Sequence, residues 1–384
     1  MNIPIFKLEF EKEFVDKYKK GAEEILTSGN PIGEGKFVGE FEDKFAKLVD
    51  ARYAVVVTSG TAALELSLKV LNVKGKRVII PCNTFFATSV AVTNAGGEIG
   101  LVDIEEDNFS IDPKALEKTI KKDKKDKKAV GAVVVVHVGG IISKNIKEIQ
   151  KICKKYKIPL LEDAAQAHCS RFGELKSGTI GEIGCFSFFP TKVMTTGEGG
   201  MITTNNKKYY QAVRSLKNFG RDNNNIDTCV LPGGNNYKIS EFTGLLGVLE
   251  CDRVKERIKI RNKYTALYVK RLKGSGYYPV LQSKGMSSQY KMILKTKIER
   301  EWLRDYCKKN NITLTGEVWK TPINKQPLYR KQFGKMNFPV TDYVSKNHIC
   351  PPLYPELTIQ EVNYICDVLL RAEKDYEKQN RPTS

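Results

Sequence analysis

The sequence predicts an α/β protein with a mostly parallel central sheet before about residue 250. In this part of the chain, short runs of apolar, often β-branched residues alternate with helical patterns. Most of these runs are apolar throughout rather than alternately polar, which indicates strands that helices cover on both faces. Such alternation is typical of parallel sheets with helical crossovers. The predicted strands are residues 53–57, 77–80, 100–102, 132–136, 158–161, 185–188 and 201–204.

Helical spacing of apolar residues separates these strands. The predicted helices are residues 61–71, 86–94, 113–120 and 144–156. The pattern changes near residue 250, where a long charged helix (248–272) is followed by shorter strand-like and helical pieces, among them 290–295, 299–310 and 359–378. We therefore predict a large domain over residues 1–250 and a smaller C-terminal α+β domain over residues 251–384.

The composition is that of a folded globular protein. Of the 384 residues, 41% are hydrophobic and 28% are charged, which excludes a disordered chain or a fibre. No apolar run approaches the roughly 18 residues that a membrane-spanning helix needs, and the first residues lack the basic-then-apolar layout of a signal peptide. We therefore expect a cytoplasmic protein that does not associate with membranes.

Cysteine, histidine and charge argue against three further classes of protein. The nine cysteines form no CxxC pair and the three histidines lie far apart, so neither a disulfide framework nor a metal site is expected. The net charge of +19 raises the question of nucleic-acid binding. However, the densest lysine run, residues 121–128, contains aspartates and no aromatic residue. We interpret that run as a solvated loop and expect no nucleic-acid partner.

Three segments that follow predicted strands carry candidate chemistry, because ligands of parallel sheets bind beyond the carboxyl ends of the strands. Residues 58–64 combine small and hydroxyl side chains with a helix start, which indicates a phosphate site or a simple helix cap. Glu162 and Asp163 end another strand, where acids can bind a metal, act as bases, pair with a buried cation or cap a helix. Lys192 precedes a glycine-rich turn; a desolvated lysine there acts as a nucleophile or Schiff base, whereas an exposed one is only a surface residue.

Together the three segments predict a site for pyridoxal phosphate (PLP). This cofactor needs a lysine for a Schiff base, a carboxylate beside its pyridine nitrogen and a cradle for its phosphate. The carboxylate keeps the ring nitrogen protonated, and the protonated ring withdraws electrons from the reacting carbon. The lysine then moves protons as general base and general acid.

Several segments, in order along the chain, also resemble one known family. The most specific is Ser187-Phe188-Phe189-Pro190-Thr191-Lys192, followed by the glycine turn at 197–200. The sequence resembles the DegT/DnrJ/StrS family of sugar-nucleotide aminotransferases, which are PLP enzymes with the aspartate-aminotransferase-like fold known as fold type I. The resemblance covers most of the chain and includes residues 39–46, 59–64, 81–88, 162–168, 187–192, 197–200, 236–241 and 351–355.

The resemblance implies a role for each matching residue. Lys192 would form the Schiff base and shuttle protons, Asp163 would pair with the ring nitrogen, and Gln166 would lie beside the ring. Phe85 would stack on the ring face. The implied phosphate ligands are Gly60, Thr61, Ala62 and Ser187, together with Asn236 from the neighbouring subunit of a homodimer. Taken singly, Phe85 also fits a core residue, Asn236 a turn, His168 a packed or solvent-facing residue and Glu198 a residue that shapes the glycine turn.

The same resemblance implies the reaction. A lysine at position 192, where related sugar dehydratases have histidine, favours transamination, and residues 237–240 resemble members that aminate carbon 4. We therefore predict transfer of an amino group from L-glutamate to a nucleotide-linked 4-keto-6-deoxyhexose, which gives an amino-deoxy sugar nucleotide. A C3-keto sugar or cyclitol aminotransferase, a related PLP-dependent sugar dehydratase and a nucleic-acid-binding protein are the alternatives. Residues 136–140 and Cys169 depart from the family pattern, so the choice of substrate stays open.

Overall fold

The computed structural model describes residues 2–225 and 227–380, which contain three β-sheets and the helices that cover them. The strands are β1 (Tyr53–Val57), β2 (Arg77–Pro81), β3 (Glu98–Val102), β4 (Val130–Val136), β5 (Leu160–Asp163), β6 (Arg171–Phe172), β7 (Leu175–Lys176), β8 (Ile183–Ser187), β9 (Gly200–Thr204), β10 (Tyr278–Pro279), β11 (Leu294–Lys295) and β12 (His348–Ile349).

In the described part of the chain before residue 240, four helices lie between strands of the central sheet near the positions that the sequence pattern predicts, whereas two further helices precede the first strand and one follows the last strand of this sheet. The helices are α1 (Lys12–Thr27), α2 (Lys36–Val49), α3 (Gly60–Val70), α4 (Phe86–Asn94), α5 (Pro113–Lys125), α6 (Ile146–Tyr156), α7 (Lys207–Lys217), α8 (Glu241–Arg271), α9 (Arg300–Lys309), α10 (Pro327–Phe333), α11 (Pro339–Lys346) and α12 (Ile359–Gln379). Short 3₁₀ turns lie at Val138–Gly140 and Ile323–Lys325. No helix in the described ranges is long and apolar enough to cross a membrane.

The central sheet has seven strands in the order β1-β9-β8-β5-β4-β2-β3. All of them run parallel except β9, which is antiparallel to both of its neighbours. The prediction of a mostly parallel α/β sheet is therefore confirmed. The strands are buried along nearly their whole length because helices pack on both faces, as their uniformly apolar sequences require. Their carboxyl ends, β9 excepted, meet at one edge, where a ligand site is expected.

The C-terminal part has its own small sheet and its own apolar core. Strands β10, β11 and β12 form an antiparallel sheet, and α8, α9 and α12 contribute to a buried cluster that runs from Tyr264 to Ala372 and also includes Ile3. This core supports the predicted C-terminal α+β domain. The boundary at residue 250 lies inside α8, a single helix of 31 residues, so the division into 1–250 and 251–384 stays a proposal.

The prediction that the lysine-rich run 121–128 forms a solvated loop was wrong for its first five residues. Helix α5 continues through Lys125, so residues 121–125 are helical rather than a loop. The physical reason is Asp123, which is buried and lies 3.2 Å from Arg77 (carboxylate oxygen to Nε). Lysines in the last turn also interact favourably with the negative end of the helix dipole. The aspartate that seemed to interrupt a charge run therefore anchors the helix.

Glu241 joins two helices that begin far apart in sequence. It is the first residue of α8, and its carboxylate accepts hydrogen bonds from the backbone N–H groups of Gly35, Phe37 and Val38 at 2.9–3.0 Å. These groups belong to the start of α2, which has no side-chain cap of its own. A buried carboxylate therefore satisfies donors that the helix geometry leaves free.

Glu241→Gln should lower the free energy of unfolding by about 2 kcal/mol, because an amide has only one acceptor oxygen: at least one of the three N–H groups loses its acceptor, and the remaining bonds become weaker neutral ones. Chemical denaturation followed by circular dichroism measures this loss. The control is Glu256→Gln on the same helix, where the side chain is exposed and no change beyond about 0.5 kcal/mol is expected. Equal stability of the two variants would contradict the capping role.

Candidate active site

A cavity of about 360 Å³ lies at the carboxyl edge of the central sheet. Seven of the nine predicted site residues line it: Gly60, Thr61, Phe85, Asp163, Gln166, Ser187 and Lys192. They come from four separate segments of the chain, so the fold alone brings them together. Ala62 and Asn236 are not part of the cavity wall.

One end of the cavity is the N-terminus of α3. Ser59 caps this helix by accepting the Ala62 N–H at 3.0 Å, so Ser59 is a cap and the Ala62 N–H is already used. The Gly60 and Thr61 N–H groups have no acceptor within the described ranges. A Cβ on Gly60 would lie 2.7 Å from the Ser187 Cβ, so glycine is needed for this strand-to-helix contact. Two free N–H groups at a positive helix end form an anion site.

Asp163 ends β5 and is buried at 6% exposure. Its Oδ2 accepts the Thr88 hydroxyl at 2.8 Å, and its Oδ1 accepts the Ala165 N–H at 3.2 Å. Burial raises the pKa of this carboxyl, while the two hydrogen bonds and the charge of Lys192 act in the opposite direction. The site thus holds a carboxylate that a cationic ligand would stabilise in its ionised form.

Glu162, the other candidate acid, has a structural role. Its carboxylate accepts the N–H groups of Gly178, Ile180 and Gly181 at 2.6–2.9 Å and contacts His137 Nε2 at 2.9 Å. Successive strand residues point to opposite faces of a sheet, which explains why only one of the two acids reaches the cavity. Among the residues that the structure describes, there is no group of three or more metal-ligating side chains.

The glycine pair at 139–140 orients Gln166. The Gly139 N–H donates to Gln166 Oε1 at 2.7 Å, which leaves the amide NH₂ group free to donate. Both glycines have positive φ (66° and 91°), and a Cβ on Gly140 would lie 2.1 Å from Ser288 Oγ. The segment that departs from the family pattern therefore positions a side chain of the site.

Lys192 lies beside Tyr290, with its Nζ 4.8 Å from the ring centre. The Tyr290 hydroxyl is 3.0 Å from Thr191 Oγ1. Burial raises the pKa of Tyr290, but the neighbouring cations Lys192 and Lys291 outweigh it, so the net direction is downward. The loop that follows Lys192 is also anchored, because the buried carboxylate of Glu250 accepts a hydrogen bond from the Thr195 N–H at 3.3 Å.

The remaining predicted residues have different surroundings. Phe85 is 46% exposed, lies against Phe86 at a centroid distance of 4.1 Å and lines the cavity. Asn236 is exposed on the loop before α8. His168 is fully buried among phenylalanines, and burial lowers its pKa to about 3. His168 is therefore a packed, neutral side chain, as one of the open alternatives has it.

Sequence reasoning missed the wall that the C-terminal part contributes. This wall consists of Tyr290, Lys291 and the segment 316–319, which ends in Trp319. Residues 290–295 carry an apolar pattern that indicates a strand, but only Leu294–Lys295 is one. No motif marks Tyr290 or Lys291, because their place in the site depends on how the C-terminal part packs against the sheet.

The residues present fit PLP. The free N–H groups at α3 suit a phosphate, the Asp163 carboxylate suits a protonated ring nitrogen, and Lys192 suits a Schiff base. Phe85 offers an exposed aromatic face to a flat ring. All of these features line the same cavity.

Fold and site define a PLP-dependent aminotransferase of fold type I. The family model of the DegT/DnrJ/EryC1/StrS aminotransferases matches residues 13–370, and the chain belongs to this family. It is 29% identical to the UDP-4-amino-4,6-dideoxy-N-acetyl-beta-L-altrosamine transaminase of Campylobacter jejuni, over 90% of this chain and 91% of that protein. It is also 29% identical to the UDP-2-acetamido-2-deoxy-3-oxo-D-glucuronate aminotransferase of Pseudomonas aeruginosa, over 92% and 95% of the two chains.

The fold is shared with solved structures of lower sequence identity. A putative sugar aminotransferase from Streptococcus pneumoniae, solved in its PMP form, superposes with a TM-score of 0.90. The two chains are 22% identical, and the match covers 99% of each. Fold type I, expected from the sequence, is confirmed.

Thr88→Val should weaken PLP binding about tenfold, because Asp163 loses a hydroxyl donor that favours its ionised form. Absorbance titration of cofactor-free protein with PLP gives the affinity. The control, Thr93→Val on the same helix, removes a hydroxyl that bonds only to backbone carbonyl groups. Unchanged affinity in Thr88→Val would show that Thr88 does not support the carboxylate.

Proposed function

We propose that this protein transfers an amino group from L-glutamate to a nucleotide-linked 4-keto-6-deoxyhexose and so makes an amino-deoxy sugar nucleotide. The observation that carries this proposal is the shared cavity of Lys192, Asp163 and the N-terminus of α3. Lysine rather than histidine at position 192 supports transamination over the related dehydration.

Each residue of the cavity would perform one task. When bound, PLP supplies an electron sink that stabilises negative charge on the carbon that loses a proton. Lys192 would take up and return that proton at its Nζ. Asp163 would keep the ring nitrogen protonated, and Gln166 would donate its free amide N–H beside the ring. Gly60, Thr61 and Ser187 would hold the phosphate.

We further propose a homodimer whose active sites are shared. Asn236 is exposed and does not line the cavity of its own chain, which fits a residue that reaches a neighbouring subunit. Phe85, Phe86 and Phe189 are each 45–49% exposed. Grouped exposed aromatic side chains are typical of protein interfaces.

Amination at carbon 4 is the favoured regiochemistry. Residues 237–240 resemble C4-aminating members, and the name of the Campylobacter relative specifies a 4-amino-4,6-dideoxy sugar. Amination at carbon 3 is the second candidate, because the name of the Pseudomonas relative specifies a 3-oxo sugar. Fold and cofactor are the same in both cases, so products decide between them.

Addition of L-glutamate to the PLP-loaded protein should convert the visible absorbance band of the bound cofactor to that of its pyridoxamine form. Lys192→Ala should lower the rate of this conversion by about 10³-fold, because the Lys192 Nζ is the group proposed to move the proton. The control Lys207→Ala, an exposed lysine of α7, should react like the wild type. Normal turnover by Lys192→Ala would refute the assignment.

Given UDP- or GDP-linked 4-keto-6-deoxyhexoses and glutamate, the protein should form 4-amino products and 2-oxoglutarate. Mass spectrometry gives the mass gain of amination, and NMR gives the position of the new amine. A 3-amino product from a 3-keto substrate, with no reaction of the 4-keto compounds, would establish the second candidate instead.

A further inference from the structure

Lys291 is a cation of the active-site cavity for which the proposed chemistry has no task. The charged side chains that line the cavity are Asp163, Lys192, Glu198, Lys291 and Glu317. Asp163 and Lys192 are assigned to the cofactor. Lys291 comes instead from the C-terminal wall, and its Nζ lies 5.3 Å from the centre of the Tyr290 ring.

The nearest acid of the same wall is already engaged. Glu317 is 5% exposed and forms a two-point ion pair with Arg304, one contact being 3.1 Å from Nε to Oε1. Arg300 lies 4.0 Å away as a second cation. Lys291 has no carboxylate within 4 Å in the described ranges, and the carboxylate of Glu198 belongs to the exposed glycine turn. A partly buried ammonium without a counter-ion favours an anionic ligand.

Lys291 and the reacting lysine contact the same aromatic ring. The Lys192 and Lys291 ammonium groups lie 4.8 Å and 5.3 Å from the centre of the same Tyr290 ring. Tyr290 is 9% exposed, and its backbone carbonyl and that of Gln289 lie 3.5 Å and 3.3 Å from the fully buried Arg261 guanidinium. The backbone at the ring that both lysines contact is therefore anchored to a buried guanidinium.

The chemistry of the two substrates selects the anion. A 6-deoxyhexose has no carboxyl group, and its nucleotide diphosphate is attached across the sugar ring from carbon 4. An α-amino acid carries a carboxylate on the carbon that bears the amine, and glutamate has a second one on its side chain. We propose that Lys291 binds a carboxylate of the amino donor; this inference rests on the proposed function.

The test measures binding separately from turnover. Trp302 packs on Tyr306 and Tyr376 away from the cavity, so Trp302→Phe leaves Trp319, in the cavity wall, as the only tryptophan. In this background, glutarate, an unreactive dicarboxylate, is titrated into the PLP-loaded protein while the fluorescence is followed. Lys291→Met should bind glutarate 10- to 100-fold more weakly, the factor that a charge-assisted hydrogen bond supplies. Lys291→Arg should stay within about threefold of the wild type.

Two arms distinguish the two carboxylates of the donor. In single-turnover reactions followed by cofactor absorbance, Lys291→Met should raise the concentration of L-glutamate needed for half-maximal rate and leave the limiting rate nearly unchanged. If L-alanine is affected equally, Lys291 binds the α-carboxylate; if L-alanine is unaffected, Lys291 binds the side-chain carboxylate. Either result supports the proposal.

Controls separate this inference from the proposed function. Lys297→Met, which changes an exposed lysine outside the cavity, should behave like the wild type, and Lys291→Gln replaces Lys291→Met if the latter does not fold. A wild type that reacts with glutamate together with a Lys291→Met that binds glutarate normally would overturn the inference alone. A wild type that does not react with glutamate at all would overturn the proposed function.

Discussion

The buried carboxylate of Asp163 is the constraint around which this active site is arranged. A carboxylate taken out of water is unfavourable by several kcal/mol unless hydrogen bonds or a cation compensate for the lost hydration. The chain supplies one hydroxyl and one N–H, and burial still raises the pKa of the group. Binding of a cationic ring would complete the compensation. A ligand that binds only the folded state in this way also stabilises the fold.

The C-terminal part of the chain completes the wall of the cavity that contains this carboxylate and is otherwise lined by residues at the edge of the sheet. Because Gly140 has no side chain, Ser288 can pack directly against it. The Ser288 hydroxyl also donates to the backbone carbonyl of Gln166 at 2.7 Å. Tyr290 then follows as the platform beside Lys192. One short segment therefore anchors the backbone of Gln166 and supports the reacting lysine. The proposed specificity residue, Lys291, belongs to the same segment, so donor recognition and catalytic geometry are structurally linked.

Features that depend on local sequence could be predicted, whereas features that depend on contacts between distant segments could not. Strands such as β1 and β4 are predicted because their uniformly apolar composition reflects burial on both faces, and Thr61, Asp163 and Lys192 are predicted because each follows a strand of the sheet. Asp123 was misread, since only its contact with Arg77 shows that it is buried. Tyr290, Lys291 and Trp319 could not be predicted, because they reach the cavity through tertiary packing and carry no local signal. The roles of all nine site residues stay predictions, and that of Asn236 depends on a second subunit.

The central claim, that Lys192 is the lysine which holds the cofactor, has a direct test. The PLP-loaded protein is reduced with borohydride, which fixes the cofactor permanently on the lysine that carries it, and is then digested and mapped by mass spectrometry. The account predicts the pyridoxyl group on the peptide that contains Lys192. A pyridoxyl group on Lys291, the other lysine of the cavity wall, would contradict it and would exchange the roles of the two residues.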